Sequence, residues 1–537
     1  MNPPRYFANT IFVKNVISPP RRSAPLLPAM LRIALQAGLQ GGEFRKIMKR
    51  KTFHIITIGC QMNVSDSERI AGYLEGLGFV WTDKREKADV VITTTCGVRQ
   101  SAEDRVYGIV PKIKKENTKV ITVVTGCLAG RADVRKRLKD SVDIWLPINE
   151  LAKLGKMLRK IVSRHPTSII EVGCREPRLQ ELENYYLSDY LKINPKHESS
   201  IRAYAPIGNG CNNFCAYCVV PYARGREVYR SAGDIIKEVE SLVERGYKEI
   251  TLIAQNVNSY NFQFSIFNFQ FSIFKIDSKF EIRNSKLYDD GRAVKIINFP
   301  ILLRLVNAIP GNFWIRFATS HPKDMSDELI KTIAECEHVC HQIHLPAQAG
   351  DNKVLSRMNR KYTREHYLDL IRKIRQAMPD VAISTDVIVG FPGETKQQFK
   401  NTEKLFREAK FDMAYTAQYS PRPGTAAAKF KDDVPKAEKK RREEAILKIL
   451  RKNARANNFS YLHKTVDVLV DGSAASAGSA RDSSPQAGKN KNEYFGKSAT
   501  GKTVKITGQT KGSSVGKVIP VRITEARDFG LTGRMVK

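Results

Sequence analysis

The sequence predicts a mixed α/β protein built from three parts: a small parallel α/β domain, a partial (βα)6 barrel and a small all-β module at the carboxyl end. Short apolar strands alternate with helices in two separate runs, which predicts the first two parts. Short β-strands with turns return over 494–536, which predicts the third. The 537 residues are enough for more than one buried core.

The chain is strongly basic, with 89 Lys and Arg against 55 Asp and Glu, a net charge of +34. A surplus of this size favours a polyanionic partner, because Lys and Arg release counterions from phosphates. Nine cysteines are too few for a disulfide scaffold in a chain of this length. No stretch approaches 18 apolar residues, so the sequence predicts no membrane span.

Residues 1–50 form a basic, proline-containing extension with no clear period, which we leave out of the fold. One interpretation is a transit peptide, because such segments are rich in Arg and poor in acids. An upstream extension of the reading frame is the simpler interpretation, since Met48 stands just before the first good strand. We therefore expect this extension to be disordered or not native.

The amino-terminal domain, residues 51–165, is predicted from strands that alternate with helices. The strands are Phe53–Ile58, Ala88–Thr95 and Val120–Thr125, and the helices are Ser65–Leu77 and Ala102–Lys115. A cysteine follows each strand: Cys60, Cys96 and Cys127. The loops after the strands of an open parallel sheet line one crevice, so the three thiols can converge there. Their spacing alone allows three ordinary buried cysteines equally well.

A polar linker, 166–200, leads to the barrel, which is predicted over 201–430. Its six strands are Arg202–Ile207, Glu249–Ala254, Phe313–Ala318, His341–Leu345, Val381–Val389 and Met413–Gln418. Helices fit between most of them, for example Gly233–Arg245, Ser326–Cys336, Arg364–Ala377 and Lys396–Ala409. Such a barrel carries its chemistry at the carboxyl ends of its strands. An insertion near 261–290 interrupts it, and there NFQFSIF occurs twice in tandem.

Beyond the barrel we predict a basic helix over 431–460 and a small all-β domain over 461–537. Residues 472–492 are rich in Ser, Ala and Gly, which predicts a disordered insert. From Lys429 to Lys537 there are 24 basic and 11 acidic residues, a net of +13. A basic β-module suits RNA binding, and a merely solvated basic surface is the alternative.

The motif that most strongly indicates a function is the loop GNGCNNFCAYC, with Cys211, Cys215 and Cys218 directly after the first barrel strand. Thiolates at this spacing can wrap one compact cluster, and they are the usual ligands of iron–sulfur centres. Three thiolates leave one iron of a 4Fe–4S cluster open for a substrate or cofactor. The alternatives are a structural zinc site, which normally needs four ligands, and three free thiols.

This loop, on the first strand of a partial barrel, resembles that of the radical S-adenosylmethionine (SAM) enzymes. The resemblance implies that SAM binds the open iron and is cleaved to a 5′-deoxyadenosyl radical, which abstracts hydrogen from an unreactive carbon. The catalytic cysteines would then be Cys211, Cys215 and Cys218. Chemistry of this kind is carried by cofactors, while the protein supplies position and electrostatics.

Further motifs resemble the methylthiotransferases: TIGCQMNVSDSERI, TCGVRQSAEDRVYG and TGCLA, then YCVVPYARGREVYRS, IAQNVNSY, HLPAQAG, STDVIVGFPGET and YSPRPGTAA. GCQMN and CVVPYARG are most similar to the tRNA-modifying, MiaB-type branch. That branch adds a methylthio group at C2 of N6-dimethylallyladenosine, next to the anticodon. Two alternatives are a sibling enzyme that acts on threonylcarbamoyladenosine or a ribosomal protein, and a non-catalytic iron–sulfur protein that binds RNA.

The resemblance also implies cofactors and partners. Cys60, Cys96 and Cys127 would hold a second 4Fe–4S cluster, whose open iron holds the sulfur to be inserted. SAM would serve twice, as methyl donor and as radical source. The all-β module resembles a TRAM domain, an RNA-binding barrel. The expected partners are tRNA, an electron donor such as flavodoxin or ferredoxin, and a sulfur donor, and we expect a cytoplasmic monomer.

SAM contacts are predicted from polar residues near the ends of barrel strands and in the loop that carries the cysteines. The candidates are Gln255, Asn256, Thr385, Asp386, Gly390, Glu394, Arg224 and Arg226. Either arginine could neutralise the SAM carboxylate or a tRNA phosphate, and an ordinary turn or a solvated surface is the alternative for each position. Tyr229 departs from the family pattern, which has Ser there, and this departure leaves the local hydrogen bonding open but not the cluster.

Overall fold

The computed structural model describes residues 51–163, 190–265, 285–287, 293–473, 493–508 and 514–536. The predictions for 1–50, for most of the linker, for the second NFQFSIF copy and for most of the 472–492 insert lie outside these residues. Among the helices of the described part, none is long and apolar enough to span a membrane.

The amino-terminal domain is a five-stranded parallel sheet with the strand order β2-β1-β3-β4-β5. Its strands are β1 (Thr52–Thr57), β2 (Val80–Trp81), β3 (Val90–Thr95), β4 (Ile121–Gly126) and β5 (Ile144–Leu146). Its helices are α1 (Gln61–Gly76), α2 (Gln100–Glu116), α3 (Ala132–Arg137) and α4 (Leu154–Ser163). Alternate strand residues pack into two apolar cores, one with α1 and one with α2. The two short edge strands, β2 and β5, were not predicted.

Helix α1 begins earlier than predicted, at Gln61, with Cys60 as its N-cap. Asp66 and Glu68 suggested a first turn at Ser65, because carboxylates favour helix N-termini. In the structure both carboxylates are buried in mid-helix, where they pair with residues of later segments. The helix therefore starts at the cysteine itself.

The barrel has six parallel strands in two sheets, β6-β9-β13 and β14-β15-β16. Their bounds are β6 Arg202–Pro206, β9 Glu249–Ile253, β13 Trp314–Ala318, β14 Gln342–His344, β15 Ala382–Val389 and β16 Met413–Gln418. The helices outside them include α6 (Ala232–Glu244), α7 (Phe299–Asn307), α8 (Asp327–Glu335), α10 (Arg364–Ala377) and α11 (Lys396–Ala409). A single apolar core fills the space between strands and helices. A bridge between Ile315 and Val339 links the two sheets.

Smaller elements decorate the barrel. The hairpin of β7 (Gly208–Asn209) and β8 (Val228–Tyr229) encloses the cysteine loop and the short helix α5 (Val220–Arg224). Helix α9 covers Asn352–Arg357. The first residues of the tandem repeat form β10 (Asn261–Ser265), which pairs with β12 (Ala293–Asn298), and β12 also pairs with β11 (Ser285–Leu287).

Helix α12 (Lys436–Phe459) leads into a closed five-stranded barrel. Its strands are β17 (Thr465–Ser473), β18 (Glu493–Ser498), β19 (Thr503–Thr507), β20 (Val518–Arg527) and β21 (Gly530–Met535). Arg202, the first residue of β6, pairs with Asp471, and Lys502 lies 2.5 Å from Asp412, just before β16. The small barrel is therefore attached where the large barrel's strands begin, away from the cysteine loop. The predicted fold class is confirmed.

Candidate active site

The loop with Cys211, Cys215 and Cys218 is closed by backbone bonds. Cys211 N donates to Gly225 O at 3.2 Å, and Cys218 N donates to Cys215 O at 3.0 Å. Gly210 has a φ of +79°, and a Cβ there would lie 2.1 Å from Arg226 O, so only glycine fits. Burial raises the pKa of the Cys211 and Cys218 thiols above the ordinary value. The loop thus holds three partly buried thiols at the carboxyl end of β6.

Two side chains donate hydrogen bonds to sulfurs of this loop. Arg360 Nη1 lies 3.3 Å from Cys215 Sγ, and Asn213 Nδ2 lies 3.5 Å from Cys211 Sγ. Arg360 is buried and is fixed by bonds to Pro346 O and the Tyr362 hydroxyl. Sequence reasoning missed Arg360, because it lies far along the chain and outside the motifs that carried the resemblance.

The sheet register brings Cys60, Cys96 and Cys127 to one edge. Thr57 is paired with Thr94 and Thr95 with Gly126, so the strands β1, β3 and β4 end side by side. The three thiols act electrostatically on one another. Burial and the neighbouring Cys127 and Cys60 raise the pKa of Cys96 to about 11. The strand-end argument made from the sequence therefore describes their placement.

The two cysteine triads meet at the junction of the two domains. A Cβ on Gly97, next to Cys96, would lie 2.9 Å from Val219 Cγ2 and 3.4 Å from Cys127 Cβ. Val219 directly follows Cys218, and Cys127 is among the groups whose charge acts on Cys218. The arrangement brings the two sets of thiols, which the sequence placed in separate domains, to one junction between the domains.

Each set of three thiols is a donor set that an iron–sulfur cluster can use. All eight cysteines of the described residues are free. Among the same residues, no three His, Cys, Asp or Glu side chains converge closely enough to hold one metal ion. A 4Fe–4S cube is itself several atoms across, so its ligand sulfurs stand apart. A set made only of thiols is the donor set that such clusters use, whereas structural zinc needs four converging ligands.

Asn256 and Gln255 lie just beyond the end of β9. Asn256 is buried, and its Nδ2 donates to Asp324 Oδ2 at 3.1 Å. Its Oδ1 is also buried and has no hydrogen-bond partner among the described residues. Gln255 is half-buried. An unpaired buried acceptor is costly. A role for Asn256 Oδ1 in SAM binding stays a prediction.

Thr385 and Asp386 face opposite sides of β15. The Thr385 hydroxyl is buried, accepts from Ala347 N and donates to Leu345 O, each at 2.9 Å. It therefore supports the segment that follows β14. Asp386 is more exposed, and its Oδ2 lies 3.4 Å from His344 Nε2. Asp386 is the more exposed of the two residues, and the SAM contacts of both stay predictions.

Gly390 and Glu394 form the turn after β15, which is tied to helix α12. Gly390 N donates to Glu394 Oε2 at 2.7 Å, and the same oxygen lies 2.8 Å from Arg442 Nη1. Burial raises the pKa of Glu394 despite the neighbouring arginine. The contacts of this turn are internal, and a role for it in SAM binding stays a prediction.

Arg224 and Arg226 differ completely in environment. Arg226 is exposed, whereas Arg224 is buried and its Nη2 lies 2.5 Å from Asp66 Oδ2 in α1. Arg224 Nη1 also donates to Asn209 Oδ1 at 3.1 Å. Arg224 therefore joins the barrel to the amino-terminal domain, and its predicted contact with the SAM carboxylate stays untested.

Tyr229, the departure from the family pattern, has hydrogen bonding of its own. Its hydroxyl donates to Ser259 O at 2.6 Å. Its ring packs edge-to-face on Tyr260 at 5.3 Å. The larger side chain thus fastens the end of the cysteine hairpin to the segment after β9.

Family models match both domains that carry these cysteines. Residues 205–406 match the Radical SAM superfamily, and residues 52–147 match the uncharacterized protein family UPF0004. The fold and the cysteine loop together define a radical SAM protein.

Comparison with curated relatives identifies the family within the radical SAM class. The chain is 40% identical over 498 residues to the tRNA-2-methylthio-N(6)-dimethylallyladenosine synthase of Clostridium novyi, covering 91% of this chain and 98% of the relative. It is 39% identical to that of Thermoanaerobacter pseudethanolicus, covering 91% and 93%. The chain belongs to this family of synthases. A solved structure, the radical S-adenosylmethionine methyltransferase TsrM from Kitasatospora setae, is similar at 15% identity and a TM-score of 0.46, covering 71% of this chain and 77% of that one.

Proposed function

We infer that this protein is a radical SAM methylthiotransferase that acts on tRNA. Its product would be 2-methylthio-N6-(dimethylallyl)adenosine, next to the anticodon, formed by adding a methylthio group at C2. The observation that carries this conclusion is identity of about 40% along nearly the whole length of synthases with that name. Both cysteine triads of this chain lie within the matched length.

We assign Cys211, Cys215 and Cys218 to a 4Fe–4S cluster with one open iron, where SAM binds. When bound, the cluster supplies the electron that cleaves SAM. The chain's own part is to hold the three sulfurs and to donate to them from Arg360 and Asn213. Donors of this kind orient metal ligands and tune a cluster's potential. The unpartnered Asn256 Oδ1 is the best-supported polar contact for SAM on the barrel side.

We assign a second 4Fe–4S cluster to Cys60, Cys96 and Cys127. The support is the common edge of β1, β3 and β4, the mutual electrostatic influence of the thiols, and the bond from Val98 N to Cys96 Sγ at 3.4 Å. With clusters bound, the closeness of the two triads would let a sulfur held at Cys60, Cys96 and Cys127 serve the reaction begun at the other triad. Two open irons at one junction suit a reaction that uses SAM twice.

The basic carboxy-terminal barrel, which we interpret as TRAM-like, would hold tRNA away from the cysteines. Its attachment at the start of the large barrel's strands requires a substrate that spans the molecule. An anticodon stem and loop meets that need, and its unstacked loop bases can be presented to the site. A flavodoxin or ferredoxin as electron donor, a separate sulfur donor, and a cytoplasmic monomer complete the proposal.

Anaerobic reconstitution tests this function. We expect about eight irons per chain, because two 4Fe–4S clusters are assigned. Cys211→Ala should abolish 5′-deoxyadenosine formation from SAM. Cys96→Ala should retain some of it yet block methylthiolation of tRNA, measured by nucleoside mass spectrometry. Unchanged methylthiolation by Cys96→Ala would refute the role of the amino-terminal triad.

Cys336→Ala is the matched control for these variants. This cysteine is buried between α8 and β14 and belongs to neither triad. Its replacement should leave iron content and methylthiolation close to those of the wild type. Loss of the modified nucleoside in Cys336→Ala would show that cysteine replacement itself disturbs the fold.

A further inference from the structure

Arg224 follows the cysteine loop of the barrel and contacts both domains, through Asn209 and Asp66. It ends α5, on the loop that carries Cys218, and its side chain is almost fully buried. Its partner Asp66 belongs to α1, the helix that begins just after Cys60. Asp66 is itself held by the Tyr190 hydroxyl, which donates to Oδ1 at 3.0 Å. The guanidinium is therefore fixed in place from several sides.

One donor of this guanidinium is left over. Nη1 and Nη2 are bonded to Asn209 and Asp66, but Nε is buried and has no partner among the described residues. A buried N–H without an acceptor is costly, so this atom is available to an acceptor that is not a protein side chain. Arg69 Nε is unpaired in the same way, so this atom alone does not distinguish Arg224 from Arg69. The charge of Arg224 also acts on Cys60 and Cys127, and the charge of Asp66 acts on Cys60 in the opposite sense. The pairing with Asp66, in the helix whose N-cap is Cys60, places Arg224 near the amino-terminal triad.

We propose that Arg224 is a positioning residue for the amino-terminal triad, placing a fixed positive charge and an N–H donor beside the sulfurs held there by Cys60 and Cys127. The inference rests on the proposed function, because it requires a cluster on this triad. The loop that carries one triad would thereby serve the other. A positive charge and a hydrogen bond near cluster sulfurs favour the reduced state and raise the reduction potential.

Two variants of the full chain, each of which replaces one charged side chain by a neutral one, test the sign of this effect on the reduction potential. Arg224→Gln removes the positive charge and leaves Asp66, so the potential of the amino-terminal cluster should become more negative. Asp66→Asn leaves Arg224 uncompensated, so the same potential should become more positive. The measurement is a redox titration followed by electron paramagnetic resonance. It is repeated in full-length chains with Cys211, Cys215 and Cys218 replaced by Ala, which isolates the amino-terminal cluster.

Turnover provides a second readout. Arg224→Gln should lower methylthiolation at least tenfold while 5′-deoxyadenosine formation continues, because the damage lies at the other triad. Arg224→Lys loses the forked set of N–H donors but keeps the positive charge. The reduction potential of the amino-terminal cluster should therefore stay close to that of the wild type. The double variant Arg224→Gln/Asp66→Asn removes both charges, and its cluster potential should lie between those of the two single variants. It also leaves no unpaired buried charge, so it can be measured even if a single variant fails to fold.

Arg69 and Glu238 provide the matched control. They also pair between α1 and the barrel, at 3.0 Å, and Arg69 is equally buried. Glu238→Gln should weaken the domain contact but leave the cluster potential unchanged. The inference is overturned if Arg224→Gln and Asp66→Asn shift the potential in the same direction or not at all, or if Glu238→Gln shifts it as much.

The failure of this inference differs from the failure of the proposed function. A wild-type chain that binds only about four irons lacks the second cluster, and both proposals then fall. A wild-type chain with about eight irons that methylthiolates tRNA, together with charge variants of wild-type potential, overturns only the role of Arg224.

Discussion

Arg360 shows how one distant side chain completes the cysteine loop. It is brought to Cys215 by the turn after α9 and is held there by bonds to Pro346 and Tyr362. Its charge is permanent, because guanidinium does not lose its proton in proteins. A donor of this kind can steady a thiolate without competing with iron for it.

Replacing Arg360 by Gln should leave the fold intact but lower 5′-deoxyadenosine formation by roughly tenfold to a hundredfold, the usual cost of losing an outer partner of a metal ligand. The measurement is the initial rate with SAM and reductant. Arg357→Gln, on α9 and bonded to Gln398 at 3.3 Å, is the control and should keep the wild-type rate. Equal rates for the two variants would contradict the role of Arg360.

His321 makes stability depend on pH. Burial, with the charges of Arg360 and Lys323, lowers its pKa from the ordinary 6.5 to about 2. Its Nδ1 accepts a hydrogen bond from Lys323 N at 3.2 Å, so the ring is held neutral. Above pH 6.5 the folded and unfolded states both carry a neutral ring. Below it only the unfolded state takes up the proton, so the folded state loses stability as the pH falls.

This loss should approach about 1.4 kcal/mol for each pH unit below 6.5, the value of one proton. His321→Gln should show a shallower decrease of melting temperature between pH 6.5 and pH 4.5. His366→Gln, at an exposed position of α10, is the control and should follow the wild type. A His321→Gln profile parallel to the wild type would show that other groups dominate acid unfolding.

At the scale of elements, the turn after β15 depends on its fit to α12. Gly390 has a φ of +69°, and a Cβ there would lie 2.4 Å from Lys439 Cγ. Lys439 cannot simply move away, because its buried ammonium is bonded to Asp432 and to Tyr419 O. The sequence singled out this glycine as a candidate for cofactor binding, whereas the structure shows a packing reason for it.

Gly390→Ala should therefore cost more stability than the backbone strain alone, which is about 1–2 kcal/mol. Gly424→Ala is the matched control, since Gly424 has a φ of +87° but nothing within 4 Å of its Cβ position. The measurement is the midpoint of denaturant unfolding for both variants. Equal losses would mean that the contact with Lys439 contributes nothing.

At the scale of the whole molecule, the small barrel presents basic residues to solvent. Arg522 on β20 and Arg534 on β21 are opposite each other in the strand register, and both are exposed. Neighbouring cations on one barrel face suit successive phosphates of a nucleic acid backbone. The site of attachment leaves this face away from both cysteine triads.

Arg522→Gln/Arg534→Gln should weaken tRNA binding and reduce the slope of log K against log salt by roughly 1.5, because each phosphate contact contributes about 0.7–0.9. The measurement is binding affinity at several salt concentrations. Lys331→Gln/Arg372→Gln, on α8 and α10, removes the same charge from the large barrel and should leave the slope unchanged. An unaltered slope in Arg522→Gln/Arg534→Gln would argue against tRNA binding on this face of the small barrel.

Much of the fold follows from local pattern. Strand β16 and helices α10 and α11 were predicted with the bounds that the structure has, because each has an uninterrupted period and clear ends. The start of α1 was missed, since the polar residues of its first turns are buried against partners distant in sequence. Strands β2 and β5 were missed because two or three residues carry no period.

The sequence by itself determined the α/β class and the position of six cysteines after strands or on one loop, because these depend on periodicity and on spacing within short segments. The family followed from the resemblance of its motifs. Only the tertiary structure decided that the two triads face one junction, that Arg224 pairs with Asp66, and that Arg360 reaches Cys215. Those contacts join segments separated by more than a hundred residues. No local pattern encodes them, since they depend on how the two domains pack and on which buried polar atoms find partners there.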